Sequence, residues 1–182
     1  LFPVRSAKGS FTWITSPLVL ARLRRDSSLE IPNISIEGMN CHGGSSVILD
    51  GKVVLEEYCL TSVKNIEPSI EEKLVKYIPE EMKEIAKGRI TVVSDEMFSY
   101  FCDNACDVVT RIRVNDETGT VDKGALFNQE QTPSETLFYS VISEQKQGCI
   151  EKLEAKLKES KNIIQVGGDE TIGLGYCSVS LK

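Results

Sequence analysis

Residues 89–114, RITVVSDEMFSYFCDNACDVVTRIRV, decide how the rest of the chain is read. The run 89–93 is short, apolar and β-branched, as a buried strand is. Ser94 then caps a helix expected over 95–105, and residues 107–114 return to strand pattern. Working outward toward the C-terminus, residues 135–142 read as a strand, 143–160 as a helix and 162–166 as a further strand. The order β-α-β-β-α-β predicts an α+β domain of the ferredoxin-like (RRM-like) type, a sandwich with helices on one face of an antiparallel sheet. RNA-recognition domains use the same layout, although a fold hosting so many functions assigns none by itself.

Working outward toward the N-terminus, 11–15 reads as a short strand, and Ser16-Pro17 opens a helix that runs to about Arg25. Residues 26–46 read as a long loop. Asp50-Gly51 between Val47-Ile48-Leu49 and Val53-Val54-Leu55 predicts a tight β-hairpin. Residues 67–87 carry Ile70, Leu74, Tyr77, Ile78, Met82 and Ile85 at helical spacing, broken at Pro79, which predicts two short amphipathic helices.

With 182 residues, 41% hydrophobic and 26% charged, the chain suits one domain with an ordinary core. No apolar run approaches the roughly 20 residues that span a bilayer, and no leader pattern opens the chain, so a cytoplasmic protein without membrane partners is expected. It begins with Leu1, which reads as a position inside a longer protein. Net charge is −6, against nucleic-acid binding by bulk electrostatics, yet residues 1–26 carry Arg5, Lys8, Arg22, Arg24 and Arg25 against Asp26 alone. Solvation of one helix face explains Arg22 and Arg25 better than a ligand site does.

The six cysteines form no C-x-x-C pair, and Cys102 and Cys106 fit core packing better than metal binding. No metal site is read in this chain. The only histidine, His42, lies in the glycine-flanked stretch 38–44, a poor support for a catalytic base, so no catalytic residue is assigned.

Two features depart from a bare sandwich. The connection over 115–134 is far longer than the two to five residues a hairpin needs, and it carries Ala125, Leu126 and Phe127 as an apolar tip suited to wedging or stacking. A loop folded back on its own domain is equally consistent with the pattern. The second departure, residues 167–175, places Gly167, Gly168, Gly173 and Gly175 around Asp169, Glu170, Thr171, Ile172 and Leu174. Such a turn lets backbone amides approach a phosphate, and it also serves as a plain inter-strand turn. The Gly-Gly-Asp-Glu string resembles nucleotide cyclases, but Thr171 replaces the expected aromatic and no matching upstream carboxylate turn is present.

Taken in series, Leu1-Phe2-Pro3-Val4-Arg5-Ser6 with Lys8-Gly9 and Trp13, then 108–114, then Asp116-Glu117-Thr118-Gly119-Thr120 with 124–127, then the 167–171 loop, resemble the RAMP-superfamily backbone subunits of the type III-B CRISPR effector, the Cmr complex. The resemblance spans 1–182. It implies an antiviral subunit that polymerises along a CRISPR guide RNA, beside other Cmr-complex subunits. A thumb hairpin, here 111–133, interrupts the guide-target duplex, and the family cleaves target RNA at those breaks. Residues implied in RNA contact are Arg5, Lys8, Arg111, Arg113, Leu126, Phe127, Gly167, Gly168, Thr171, Gly173 and Gly175. No cofactor is implied for this chain, and a divalent metal is implied only for cleavage by the longer protein.

The resemblance also places the family's first strand, first helix and catalytic aspartate loop upstream of Leu1. Asp116 and Glu117 are the local carboxylates to weigh in its stead. Leu174 stands where the family often has a basic residue, and Gln129-Glu130-Gln131-Thr132-Pro133 replaces a Glu-Glu-Tyr run. A free-standing RRM-like binder of single-stranded RNA is the alternative. It calls for aromatics on the open sheet face, and 107–114 has none.

Overall fold

Residues 1–27, 29–114 and 117–181 are described by the computed structural model, the side chains of Asp122 and Lys123 excepted. They divide into two compact units, Leu1–Tyr139 and Ser140–Lys182.

The first unit is built on a closed barrel of six strands. β1 (Phe2–Ser6) and β2 (Ser10–Thr15) form an antiparallel hairpin, turned at Gly9 with its left-handed φ of 83°. β3 is Asn40–Gly43, β4 Lys52–Leu55, β5 Tyr58–Asn65 and β6 Ile90–Val93. β6 lies parallel to β2 and antiparallel to β3, β3 lies parallel to β5, and β5 pairs antiparallel with β4. The ring closes where Ser6 of β1 pairs with Leu55 of β4.

All four residues of β6 are buried, because it has a core on each side. Its alternate side chains Ile90 and Val92 join Trp13, Leu20, Leu23, Ile70 and Leu74 beneath α1 (Pro17–Asp26) and α2 (Pro68–Val75). Val93 joins Phe2, Val4, Ile14, Val53, Leu55, Leu60 and Phe101 in the second cluster. Phe101 comes from α4 (Asp95–Asn104), which starts at Ser94, whose Oγ accepts from Met97 N at 3.3 Å. Between them α3 (Glu80–Ala86) follows Pro79, as the broken helical pattern predicts.

The strand expected at 107–114 is β7 (Asp107–Val114), but its partner is β8 (Val121–Gln131), in a two-stranded ribbon separate from the barrel. Residues 135–142 form no strand. Glu135 adopts a left-handed φ of 68°, and Leu137 exchanges both backbone bonds with Leu1, at 2.8 and 2.9 Å. The α+β class therefore holds, whereas the strands expected to make one ferredoxin-like sheet are divided among the barrel, the ribbon and the separate β9–β10 pair of the second unit, and the one expected at 135–142 does not form.

Other boundaries shift for local reasons. Residues 26–46 contain β3, hidden from pattern reading by its Cys41-His42-Gly43 composition. Asp50-Gly51 does turn the chain, with left-handed φ of 48° and 72°, but only a single Leu49–Lys52 bridge forms. The other edge of β4 is occupied by β1, since Ala7 N donates to Val54 O at 3.1 Å, so 47–49 cannot pair along it. The full hairpin is β4–β5, turned at Glu56-Glu57.

In the second unit α5 (Cys149–Glu159) begins later than the expected residue 143. The Glu144 carboxylate accepts from Cys149 N at 2.6 Å and Ile150 N at 3.3 Å, capping the helix there. β9 (Ile163–Gln165) pairs with β10 (Tyr176–Ser178), and the glycine-rich loop joins them.

A Cβ on Gly44 would overlap the Gly88 carbonyl, whereas one on Gly51 meets nothing within 4 Å. Gly44→Ala is expected to destabilise by about 2 kcal/mol or more through overpacking. Gly51→Ala carries only the strain of its left-handed backbone, about 1 kcal/mol. Thermal unfolding followed by circular dichroism checks the order of the two.

Candidate functional site

The ribbon presents two chemically different faces. Antiparallel register puts Arg111 opposite Phe127, Val109 opposite Gln129 and Asp107 opposite Gln131 on one face, and Ile112 opposite Leu126, Thr110 opposite Asn128 and Val108 opposite Glu130 on the other. On the first face Arg111, in register with Phe127, donates from Nε to Gln129 Oε1, which holds the guanidinium on that face. On the second, Thr110 Oγ1 donates to Asn128 Oδ1 at 2.9 Å, and Val108, Ile112 and Leu126 are exposed, Leu126 to 67%. Leu126 and Phe127 thus stand within the ribbon, not at its tip as the sequence suggests. The reason is the register: β7 pairs with 126–131, so the turn falls earlier in the connection. Arg113 lies in the register shift between Ile112 and Val114. Asp116 is outside the described residues.

Arg5 and Lys8 belong to the β1–β2 hairpin. Arg5 is exposed in the middle of β1, while the Lys8 ammonium donates to Ile48 O at 2.6 Å and straps the 47–49 segment. The structure therefore groups Arg111 with Phe127, and Ile112 with Leu126, and places Arg5 and Lys8 on a separate hairpin. Sequence reasoning passed over Gln129, whose role shows only once register is known.

In the second unit, Gln165 organises the glycine-rich loop. Its Nε2 donates to Gly167 O at 3.1 Å, Gly168 O at 3.5 Å and Leu174 O at 3.4 Å. Internal bonds take the amides of Ile172, Gly173 and Leu174. Gly175 is required by close approach, since a Cβ there would overlap Val166 O. Gly167 and Gly173 have left-handed φ of 93° and 84°, and Gly168 neither needs such a φ nor has any neighbour within 4 Å of a Cβ. The Gln165 amide thus fixes the shape of a glycine-rich turn of the kind whose backbone N–H groups can approach an anion.

His42 sits in β3, not in a loop, and is only 5% exposed. Burial and then the Lys64 charge hold its pKa below the usual histidine value. Burial likewise pushes the neighbouring Cys41 thiol up to about 12, so neither is an available nucleophile or acid at neutral pH. Cys106 Sγ donates to Cys102 O at 3.3 Å, a helix-end contact. Among the described residues no group of three or more His, Cys, Asp or Glu side chains is placed to hold a metal ion.

The chain belongs to the RAMP superfamily, whose sequence pattern matches residues 24–178. It is 37% identical over 199 aligned residues to the CRISPR system Cmr endoribonuclease Cmr4 of Pyrococcus furiosus, covering 100% of this chain and 65% of that protein. The chain thus spans just under two thirds of that relative's length. The crystal structure of oligomeric Cmr4 from Pyrococcus furiosus superposes with a TM-score of 0.70 at 29% identity, over 96% of this chain and 66% of that one. A type III-B Cmr-beta complex in its apo state contains a chain that shares the fold, with a TM-score of 0.62 at 19% identity, over 96% of this chain and 64% of that one.

Two outcomes are expected here. A buried histidine whose folded pKa lies below its unfolded value of about 6.5 stabilises the fold above that value and loses this contribution as pH falls through it. His42→Gln should flatten the fall in stability between about pH 7 and 5, which urea unfolding at several pH values measures. Gly168→Glu adds charge without backbone strain, so thermal stability should stay within about 0.5 kcal/mol of wild type. If the loop receives phosphate, affinity for two unrelated RNAs should drop alike, about tenfold for 1.4 kcal/mol lost. Unchanged binding of both removes the loop from the RNA surface.

Proposed function

We propose that this chain is part of a guide-RNA-binding backbone subunit of a type III-B CRISPR RNA-silencing complex, used in antiviral defence. The observation that carries this reading is identity of 37% across the whole chain to a Cmr endoribonuclease. The ribbon supports it physically. Among the described residues it pairs with no barrel strand, and it exposes apolar side chains on one face and carries Arg111, held by Gln129, in register with Phe127 on the other. An aromatic that stacks on a base contributes about 1–3 kcal/mol whatever the sequence, and a neighbouring guanidinium suits the adjacent phosphate.

In this reading residues 111–133 are the thumb, whose Leu126 and Phe127 part the guide-target duplex, with Arg111 and Arg113 on the backbone. The amides of the 167–175 loop and the Arg5–Lys8 hairpin contact guide phosphates. Partners are guide RNA, target RNA, further copies of the protein and other Cmr-complex subunits, in the cytoplasm. No described helix is long and apolar enough to cross a membrane. The barrel and ribbon are read as belonging to a longer ferredoxin-like RAMP domain that supplies the strand, helix and aspartate loop upstream. Target cleavage belongs to that longer protein. Among the described residues no group of three or more possible ligands gathers, and any metal used in cleavage is assigned to the aspartate loop of that longer protein. A free-standing RNA-binding module is disfavoured by the exposed ribbon, which has no partner sheet among the described residues.

Light scattering of the intact protein with and without guide RNA tests the proposal. Side-by-side oligomers that lengthen with the RNA are expected, and a strictly monomeric complex overturns the backbone reading.

A further inference from the structure

The ribbon makes no ladder with the barrel, so its direction is set by its two connections. One leaves α4, where Ala105 N donates to Phe101 O at 2.8 Å and Phe101 is buried. The other, residues 132–139, returns across the barrel as a strap. Thr136 Oγ1 donates to Pro133 O at 2.8 Å, the Trp13 indole Nε1 donates to Glu135 O at 2.8 Å, and Tyr139 OH donates to Asp26 Oδ2 at 3.0 Å. Leu137 packs against the core under α1 and α2.

Trp13 is the firm end of this arrangement. It is 2% exposed, lies in β2 opposite Ile90 of β6, and meets Phe11 edge-on with ring centroids 4.8 Å apart. A buried indole N–H without a partner is costly, and Glu135 O is its acceptor. Glu135 in turn holds a left-handed backbone that a non-glycine residue keeps only where its surroundings impose it. The acceptor stands four residues beyond Gln131, the end of β8, with Pro133 stiffening the span.

We infer that Trp13 is a positioning residue, which through the strap at Glu135 fixes the direction in which the β7–β8 ribbon leaves the barrel. Its consequence for RNA rests on the proposed function, because a thumb that parts a duplex at regular intervals must leave every copy at the same angle. The inference about direction rests on the geometry of residues 1–139 alone.

The test measures distances in the intact protein by pulsed electron spin resonance. Nitroxides are carried on a genetically encoded ketone side chain at positions 52 (barrel) and 121 (ribbon), with 52 and 96 as a barrel-to-barrel control. Trp13→Phe keeps an aromatic ring and removes the N–H. Thr136→Val with Tyr139→Phe loosens the strap without touching a buried residue. In both, the width of the 52–121 distribution is expected at least to double while the 52–96 width stays the same. An unchanged 52–121 width in folded Trp13→Phe overturns the inference; if that variant does not fold, Trp13→Met, which also lacks the N–H, decides in its place, and an unchanged width in the double variant, which keeps the Trp13–Glu135 bond, overturns the part given to the rest of the strap. Target RNA cleaved by the same variants on guide RNA should lose the even spacing of its cuts. Absence of cleavage by the wild type would fault the functional reading and leave the distance result standing.

Discussion

The barrel depends on β6 being buried from both sides. Four consecutive residues, Ile90 to Val93, have no solvent-facing position, so each must pack into one core or the other and its backbone must find partners along both edges. β2 and β3 supply those edges, one parallel and one antiparallel. The polar side chain in this strand, Thr91, is satisfied internally, 3.1 Å from Thr12 Oγ1 and 3.4 Å from Gly44 N. Beside this, Gly44 and Gly88 let β3 and the approach to β6 touch without side chains between them. The helices then follow, since α1 and α2 cover one face of the sheet and α4 closes the other.

Local elements with their own signals were readable in the sequence. Ser16-Pro17 and Ser94 begin helices because their chemistry satisfies amide donors within a few residues, and Pro79 divides α2 from α3 for an equally local reason. Pairings were not readable. Residues 135–142 look like a strand, but Leu137 pairs with Leu1, a long-range partner that no periodicity encodes. β3 is short and rich in glycine and histidine, so it looks like a loop until the parallel β5 and antiparallel β6 appear beside it. The candidate site divides in the same way. Its residue types stood out in the sequence, whereas the Arg111–Gln129 link and the three carbonyls held by Gln165 depend on register and turn geometry.

An acidic chain proposed to bind RNA must keep some cations uncancelled. Several lysines are spent locally on helix or turn neighbours, as in Lys87–Glu84, Lys156–Glu159 and Lys64–Glu67, exposed pairs that contribute little to stability. Arg25 pairs with Asp26 at 2.7 Å, holding that carboxyl below its ordinary range. Arg111 differs, because its Nε donates to the neutral side-chain amide of Gln129. Its direction is thus fixed by an uncharged group, and Glu130, the nearest acidic neighbour along β8, belongs to the opposite face.

The role of Gln165 also exposes a chemical weakness. The loop from β9 to β10 is gathered by one side-chain nitrogen that offers its protons to three carbonyl oxygens. Hydrolysis of that amide, a slow ageing reaction of glutamine, exchanges the nitrogen for an oxygen and turns donor into acceptor. The same three carbonyls would then face a carboxylate, and the turn would be driven apart from within. A change of a single mass unit, with no change in chain length or backbone sequence, would thus disarm the loop, and old preparations would carry that damage unseen by electrophoresis on size alone.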